Sequence, residues 1–303
     1  MKRSLFFYII FNFVVIQILS LEIEAVMNVL KIISILGILT LGISHGSIDD
    51  VLHFKNLKVK KGYFVFKYLF IIFVNTIVWY LLPNLAVLGF ILISGFHFGQ
   101  AQFIDYKLTK KIASNLTYAS WGNLVLFLFF YCNSHSLQMY GNQYYQIPEL
   151  LLWFIQNAGY FLIFFAVILF SNFAYFSIKK EISLQSIIIE LLLLFVISSS
   201  FLLIDPLIAF SLFFIILHSY QVMIHEINYL DLKNNFDFIK MLIPLTIISL
   251  VGIAIILSVL FFTGLEYYIP LVLIIMISSV TTPHSFIMNK FYSSNNKYHA
   301  NFK

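Results

Sequence analysis

Residues 184–206 read LQSIIIELLLLFVISSSFLLIDP. From Leu184 to Ile204 only one ionisable group, Glu190, interrupts the run. Wound as an α-helix, a stretch of this length is roughly 30 Å long, the thickness of a bilayer's hydrocarbon core. Asp205-Pro206 then ends it, because proline cannot continue a helix and pre-sets a turn. A second apolar run, 207–227, follows at once. The stretch therefore predicts two membrane-crossing helices joined by a two-residue turn.

The pattern extends over the whole chain. Apolar runs occupy 4–21, 26–46, 64–82, 85–104, 115–132, 150–177, 184–204, 207–227, 239–262 and 267–289. Another very short connection, Leu82-Pro83-Asn84, separates the third and fourth. Of the 303 residues, 61% are hydrophobic and only 10% charged, against roughly 25% charged in a soluble domain. A transmembrane barrel is excluded, since barrels alternate over ~10-residue strands and these runs are continuous. The expected fold class is all-α: a polytopic helical membrane protein of about ten transmembrane helices in one bundle, with 1–303 forming a single integral membrane domain. The N-terminal stretch has a longer apolar run than a secretory signal and no small-residue cleavage site, so it reads as a retained first helix. The single cysteine, Cys132, rules out disulfides and thiolate metal sites.

Charge sets the orientation. With Lys2 and Arg3 in the cytoplasm, alternation places the loops 47–63, 105–114, 178–183 and 228–238 and the tail from Lys290 inside. All of the 18 Lys and Arg residues except Lys31 then lie in or beside those segments. The outer loop 133–149 has none. This follows the positive-inside rule and predicts a multi-pass cell-membrane protein with both termini cytoplasmic. The net charge of +5 is accounted for in this way, with no need of nucleic acid.

Within this frame the histidines gather. GISHGSIDD (42–50) carries His45 ten residues before Lys55, and His97 lies eight before Asp105. His218 lies eight before Glu226, and His284 six before Lys290. At 1.5 Å per residue these offsets are roughly 9 to 15 Å of depth. Four helices thus present one imidazole each at a similar level of the inner bilayer. One intramembrane histidine is often just a hydrogen bond between helices; four at one depth point to function. Small residues flank them, with Gly42 and Gly46, Gly95 and Gly99, and Ser219, while Pro283 precedes His284. Imidazoles without thiolate suit Zn, Cu, Fe or Ni. Asp49, four residues after His45, is the candidate partner for a ligand's second ring nitrogen. His53 and His225 read as interfacial. Glu190 reads either as a proton or ion group or as a polar contact between helices.

The ordered set GISHGSIDD, SGFHFG (94–99), LHS (217–219) and TTPHSF (281–286) resembles the Brp/Blh family of membrane β-carotene 15,15′-dioxygenases. The resemblance spans residues 42–286. It implies a non-haem Fe(II) enzyme that cleaves the central double bond of β-carotene with O₂ to give two retinals. It implies that His45, His97 and His218 are iron ligands and that His284 belongs to the site, with no catalytic group beyond the ligands. The implied partners are β-carotene or a related carotenoid, O₂ and the bilayer, with a retinal-accepting rhodopsin as a further one. Two positions depart from the family pattern. Val222 stands where a second histidine follows at i+4, and Gln100, Ala101 and Gln102 stand where an acidic residue follows H-F-G. The fourth ligand is then His284 or His225, or the site has three histidines. The alternative class is a transporter or channel with a histidine-lined metal or proton site.

Overall fold

The computed structural model describes residues 3–42, 44, 46–56, 61–143, 147–232 and 234–300. Among them every regular element is helical. In chain order these are α1 Arg3–Leu19, α2 Glu24–Gly37, α3 Asp49–Asn56, α4 Lys61–Leu81, α5 Pro83–Gln102, α6 Lys111–Cys132 and α7 Ser134–Gln143. They continue as α8 Glu149–Gln156, α9 Ala158–Ile178, α10 Leu184–Leu203, α11 Pro206–Leu212, α12 Tyr220–Leu230, α13 Asn235–Phe262 and α14 Ile269–Ala300. Two π-helical segments extend this set: Ile38–Gly42 continues α2, and Phe213–Ser219 joins α11 to α12.

The polar punctuation in the sequence ends and starts these helices. Asp205 caps α11, accepting from Leu207 N at 3.1 Å, with Pro206 in the first turn. Ser183 caps α10 through Ser186 N, and Asn234 caps α13 through Phe236 N at 2.9 Å. Such caps satisfy amide donors that a helix cannot pair internally. Gly264, with φ of +71°, turns the chain after α13.

Over its described residues each of the ten apolar runs is largely helical, with two differences. The run 150–177 is split at Asn157 into α8 and α9, and the outer loop 133–149 contains the helix α7. Eight helical spans among the described residues are long and apolar enough to cross a membrane. The expected count of about ten also needs α1, which is shorter, and α6, which is not among the eight. The reason for α6 is its polar stripe. Ser114, Thr117, Ser120 and Asn123 are all buried, and Thr117, Ser120 and Asn123 bond carbonyls of their own helix at 2.8 to 3.2 Å. Self-bonding of this kind lets polar side chains sit away from water.

That stripe faces α5, and the two helices cross at a glycine notch. A Cβ at Gly99 would overlap the carbonyl of Tyr118, and one at Gly122 would overlap the carbonyl of Gly95. Only hydrogen at these positions permits such close approach. The large apolar cluster on this crossing includes Phe103, Trp121, Phe127, Phe173, Phe176 and Phe201. A smaller cluster joins Ile48, Leu52, Val222, Leu242, Ile287 and Met288. Burial ranks the spans: 56% of α5 and 50% of the α11–α12 span are buried, against 11% of α4 and 6% of α13. Large apolar side chains such as Phe66, Phe70, Ile163, Phe195 and Phe262 face outward, as lipid contact requires. Lys31, the one cation out of place in the sequence, pairs with the α11 cap Asp205 at 3.0 Å. Its charge is neutralised by that carboxylate.

Candidate metal centre

His97 and His218 lie on the two most buried spans, and His284 on α14. Their exposures are 1%, 4% and 3%. The His97 ring centroid is 4.8 Å from that of His218 and 4.9 Å from that of His284, with interplanar angles of 81° and 85°. An ion bonded to imidazoles at ~2.1 Å, at octahedral to tetrahedral angles, sets ring centroids about 4.6 to 5.3 Å apart. Both ring spacings from His97 fall in that range. Among the described residues no group of three or more His, Cys, Asp and Glu side chains closes into a metal-binding arrangement by itself. His45 lies outside the described residues.

Each ring is placed by a local feature of its helix. His97 sits between Gly95 and Gly99, at the notch where α5 meets α6. His218 lies in the π-helical segment, where one extra residue per turn re-aims side chains. The second π segment abuts it: a Cβ at Gly42 would strike the Phe214 ring, and one at Gly37 would strike Ile215. Phe214 in turn stacks on His218 at 5.5 Å, and Phe98 meets the same imidazole edge-on at 4.7 Å. His284 follows Pro283 inside α14.

Asp49, 3% exposed at the start of α3, accepts two bonds. Its Oδ1 is 2.8 Å from His284 Nδ1, and its Oδ2 accepts from the Tyr68 hydroxyl at 3.0 Å. A carboxylate on Nδ1 fixes the ring orientation and directs Nε2 to ligation. The sequence suggested Asp49 as support for His45; the structure places it on His284.

Directly after His97 and Phe98, α5 is tied to three other helices. Gln100 Nε2 donates to Asn289 on α14 at 2.8 Å. The Ala101 carbonyl accepts from Gln221 on α12 at 3.0 Å. Gln102 Nε2 donates to both oxygens of Glu190 on α10, at 2.9 and 2.8 Å. Glu190 also accepts from the Tyr106 hydroxyl at 3.0 Å. It is therefore the interhelical polar contact, one of the two readings left open by the sequence. Burial, and then the Glu190 carboxylate, hold the Tyr106 hydroxyl well above its ordinary range, so it remains a donor.

Other expected positions resolve differently. His225 pairs with Asp105, just past the end of α5, at 3.8 Å. Val222 packs in the smaller apolar cluster at 0% exposure, so α12 contributes no second donor there. Glu226, taken as the inner end of its helix, is fully buried, and α12 runs on to Leu230. His218 is thus deeper than the charge count suggested. His53 lies on α3. Sequence reasoning missed Tyr68, Gln221 and the ring frame of Phe98 and Phe214. Tyr68 had one signal: with Asn75 and Trp79 it forms a stripe at helical spacing on α4. Beside His218 a void of about 10 Å³ is lined by Phe98, Ala101, Gln102, Trp121, Phe213 and Leu217, space for about one water.

Comparison with known proteins now bears on this geometry. A family model described as beta-carotene 15,15′-dioxygenase matches residues 36–292. The chain belongs to that family. No curated protein and no solved structure matches it. The matched region opens in the last turn of α2, takes in both π-helical segments and all four candidate histidines, and closes on α14 just past Asn289. Membership makes the chain a carotenoid dioxygenase, and it favours the enzyme over the transporter reading of a histidine-lined site.

Proposed function

We propose that this dioxygenase cleaves the central double bond of β-carotene with O₂ to give two retinal molecules. In this reading a non-haem ferrous ion is held by His97, His218 and His284 together with His45. The supporting observation is the set of three buried imidazoles with centroids 4.8 and 4.9 Å apart, one backed by a carboxylate at 2.8 Å. A donor set of neutral imidazoles without thiolate suits iron. Once bound there, iron would supply the oxygen-activating redox chemistry that side chains lack.

The chain's own residues then have three tasks. Asp49 keeps His284 in one tautomer and orientation. The ties at Gln100, Ala101 and Gln102 hold the α5 segment that carries His97 against α14, α12 and α10. Phe98, Phe213, Phe214 and Leu217 surround His218 with apolar surface and exclude water. The substrate is itself a lipid-soluble polyene, so a site within the bilayer receives it without transfer through water. A void of about 10 Å³ is far smaller than a carotenoid, so admitting the substrate there would require the helices around His218 to part.

The test is expression in β-carotene-producing bacteria, with retinal and residual carotene separated by chromatography. The intact chain is expected to convert carotene to retinal, and His97→Ala to abolish conversion at equal membrane expression. Unchanged carotene with the intact folded chain, or full conversion by His97→Ala, overturns the reading.

A further inference from the structure

The geometry points to α4, which carries none of the histidines, as the element that positions His284, with Tyr68 as its positioning residue. This inference rests on the reading of His284 as a metal ligand.

The need arises in α14. Pro283 has no amide hydrogen, so the carbonyl of Ser279 loses its intrahelical donor, and the ring crowds the preceding turn. The backbone is weakest immediately before His284. A ligand there requires support from outside its own helix.

That support comes from one stripe of α4. Tyr68, Asn75 and Trp79 are spaced by seven and four residues, so they share a face of the helix and cover about 16 Å of its length. Outward of Pro283, Trp79 Nε1 donates to Ser278 Oγ at 2.9 Å. Asn75 Nδ2 donates to Ser278 Oγ at 3.3 Å and to Ser279 Oγ at 3.1 Å, and Thr76 Oγ1 lies 3.3 Å from Ser279 Oγ. Ser278 and Ser279 are 1% and 4% exposed, and Trp79 3%. Inward of Pro283, the Tyr68 hydroxyl donates to Asp49 Oδ2 at 3.0 Å, and Asp49 Oδ1 holds His284 Nδ1 at 2.8 Å. The α4 helix therefore grips α14 on both sides of its break.

The stripe is also unusual for its helix. Only 11% of the α4 span is buried, and most of its surface carries lipid-facing residues such as Phe66, Leu69, Phe70 and Phe73. A polar side chain in hydrocarbon is costly without a partner. These three side chains find theirs on α14 and on Asp49, so the stripe is committed to that single interface. The hydroxyl of Tyr68 does two things at once: it satisfies the second carboxylate oxygen, and it stops Asp49 rotating away from His284. Loss of such an outer partner typically weakens a metal site by 10- to 100-fold.

The test uses the full chain, purified in detergent and loaded with Fe(II). Metal release to a ferrous chelator is timed, and the electron spin resonance of the nitric oxide adduct is recorded. Tyr68→Phe is expected to release iron about 10-fold faster than wild type and to change the nitrosyl spectrum. In a His284→Ala background the same substitution should add nothing, because its effect passes through that ring. Thr109→Val removes a hydroxyl–carboxylate bond to Glu181 in the loops outside the long helices and should release iron at the wild-type rate. Should Tyr68→Phe not accumulate, Asp49→Asn carries the same test from the other side of the link.

Equal release by wild type and Tyr68→Phe overturns the inference and leaves the metal site standing. So does the same acceleration with His284 absent, or an equal effect of Thr109→Val, either of which marks a merely structural role. Wild-type protein that retains no iron overturns the metal reading and this inference with it.

Discussion

Replacing Gly99 by alanine adds one methyl group, and its effect depends on what that methyl meets. On α5 it meets the backbone carbonyl of Tyr118, at a separation no real Cβ shows. A side chain could rotate away, whereas a carbonyl fixed in α6 cannot. The two helices must therefore separate by roughly 1 Å or more to regain van der Waals contact. Overpacking usually costs about 1 to 3 kcal/mol, and a backbone obstacle belongs at the upper end. The functional cost is larger, because His97 is two residues away on the same turn. A shift of that size exceeds the ~0.2 Å tolerance of metal–ligand distances and corresponds to about 100-fold in rate. Gly89→Ala provides the internal control. It lies on the same helix with nothing within 4 Å of its added Cβ, so it should be neutral or stabilising by up to about 1 kcal/mol through helix propensity. Thermal unfolding in detergent, bound iron and retinal yield in carotene-producing cells would be measured for both. Wild-type unfolding and retinal yield in Gly99→Ala would refute the reasoning, since the notch would then not require glycine.

Gln102→Leu removes both Gln102 hydrogen bonds from Glu190, which is 2% exposed, and should destabilise by about 2 to 4 kcal/mol. The double variant Gln102→Leu/Glu190→Leu should recover most of the loss in the unfolding midpoint. Lys31→Met should cost no more than about 1 kcal/mol, because the pair with Asp205 is one-third and one-fifth exposed. Asp205→Ala loses the α11 cap as well, adding about 1 kcal/mol, so the midpoints should rank wild type above Lys31→Met above Asp205→Ala.

Much of the architecture was legible because the bilayer leaves a chain few options. Long apolar runs between polar breaks had to be helices, and the Asp-Pro and Leu-Pro-Asn joints behave as read. The helix count was less legible where polarity served packing. The serine, threonine and asparagine stripe on α6 lowers its hydropathy because it bonds its own backbone beneath α5. At the site, depth brought four histidines into view; the rings of His218 and His284 each lie close to that of His97, and His45 lies outside the described residues. Asp49 was singled out beside His45; the bond seen is to His284, 235 residues away, and nothing local in the sequence signals so distant a pairing. Val222 could be seen as a departure, but only packing shows it sealed among Ile48, Leu52 and Met288. Glu226 misled, since a carboxylate in a sequence marks the aqueous boundary only when it is not buried. The two π-helical segments left no legible trace, because a widened turn differs from an ordinary one by spacing rather than by residue type.

That widened turn at Phe213–Ser219 has a consequence for how the chain can change. A π segment holds one residue more than the α-helix it interrupts. Every side chain beyond it is rotated by about 100° relative to an uninterrupted helix. Removing any one residue between Phe213 and Leu217 would regularise the backbone and at the same time swing His218 off the face shared with His97. Apolar residues that do not touch His218, such as Ile215 and Ile216, can be exchanged for others of similar size, whereas the length of this stretch cannot be altered. Among descendants of this sequence, insertions and deletions should therefore collect in the outer loop and the tail, and stop short of this turn.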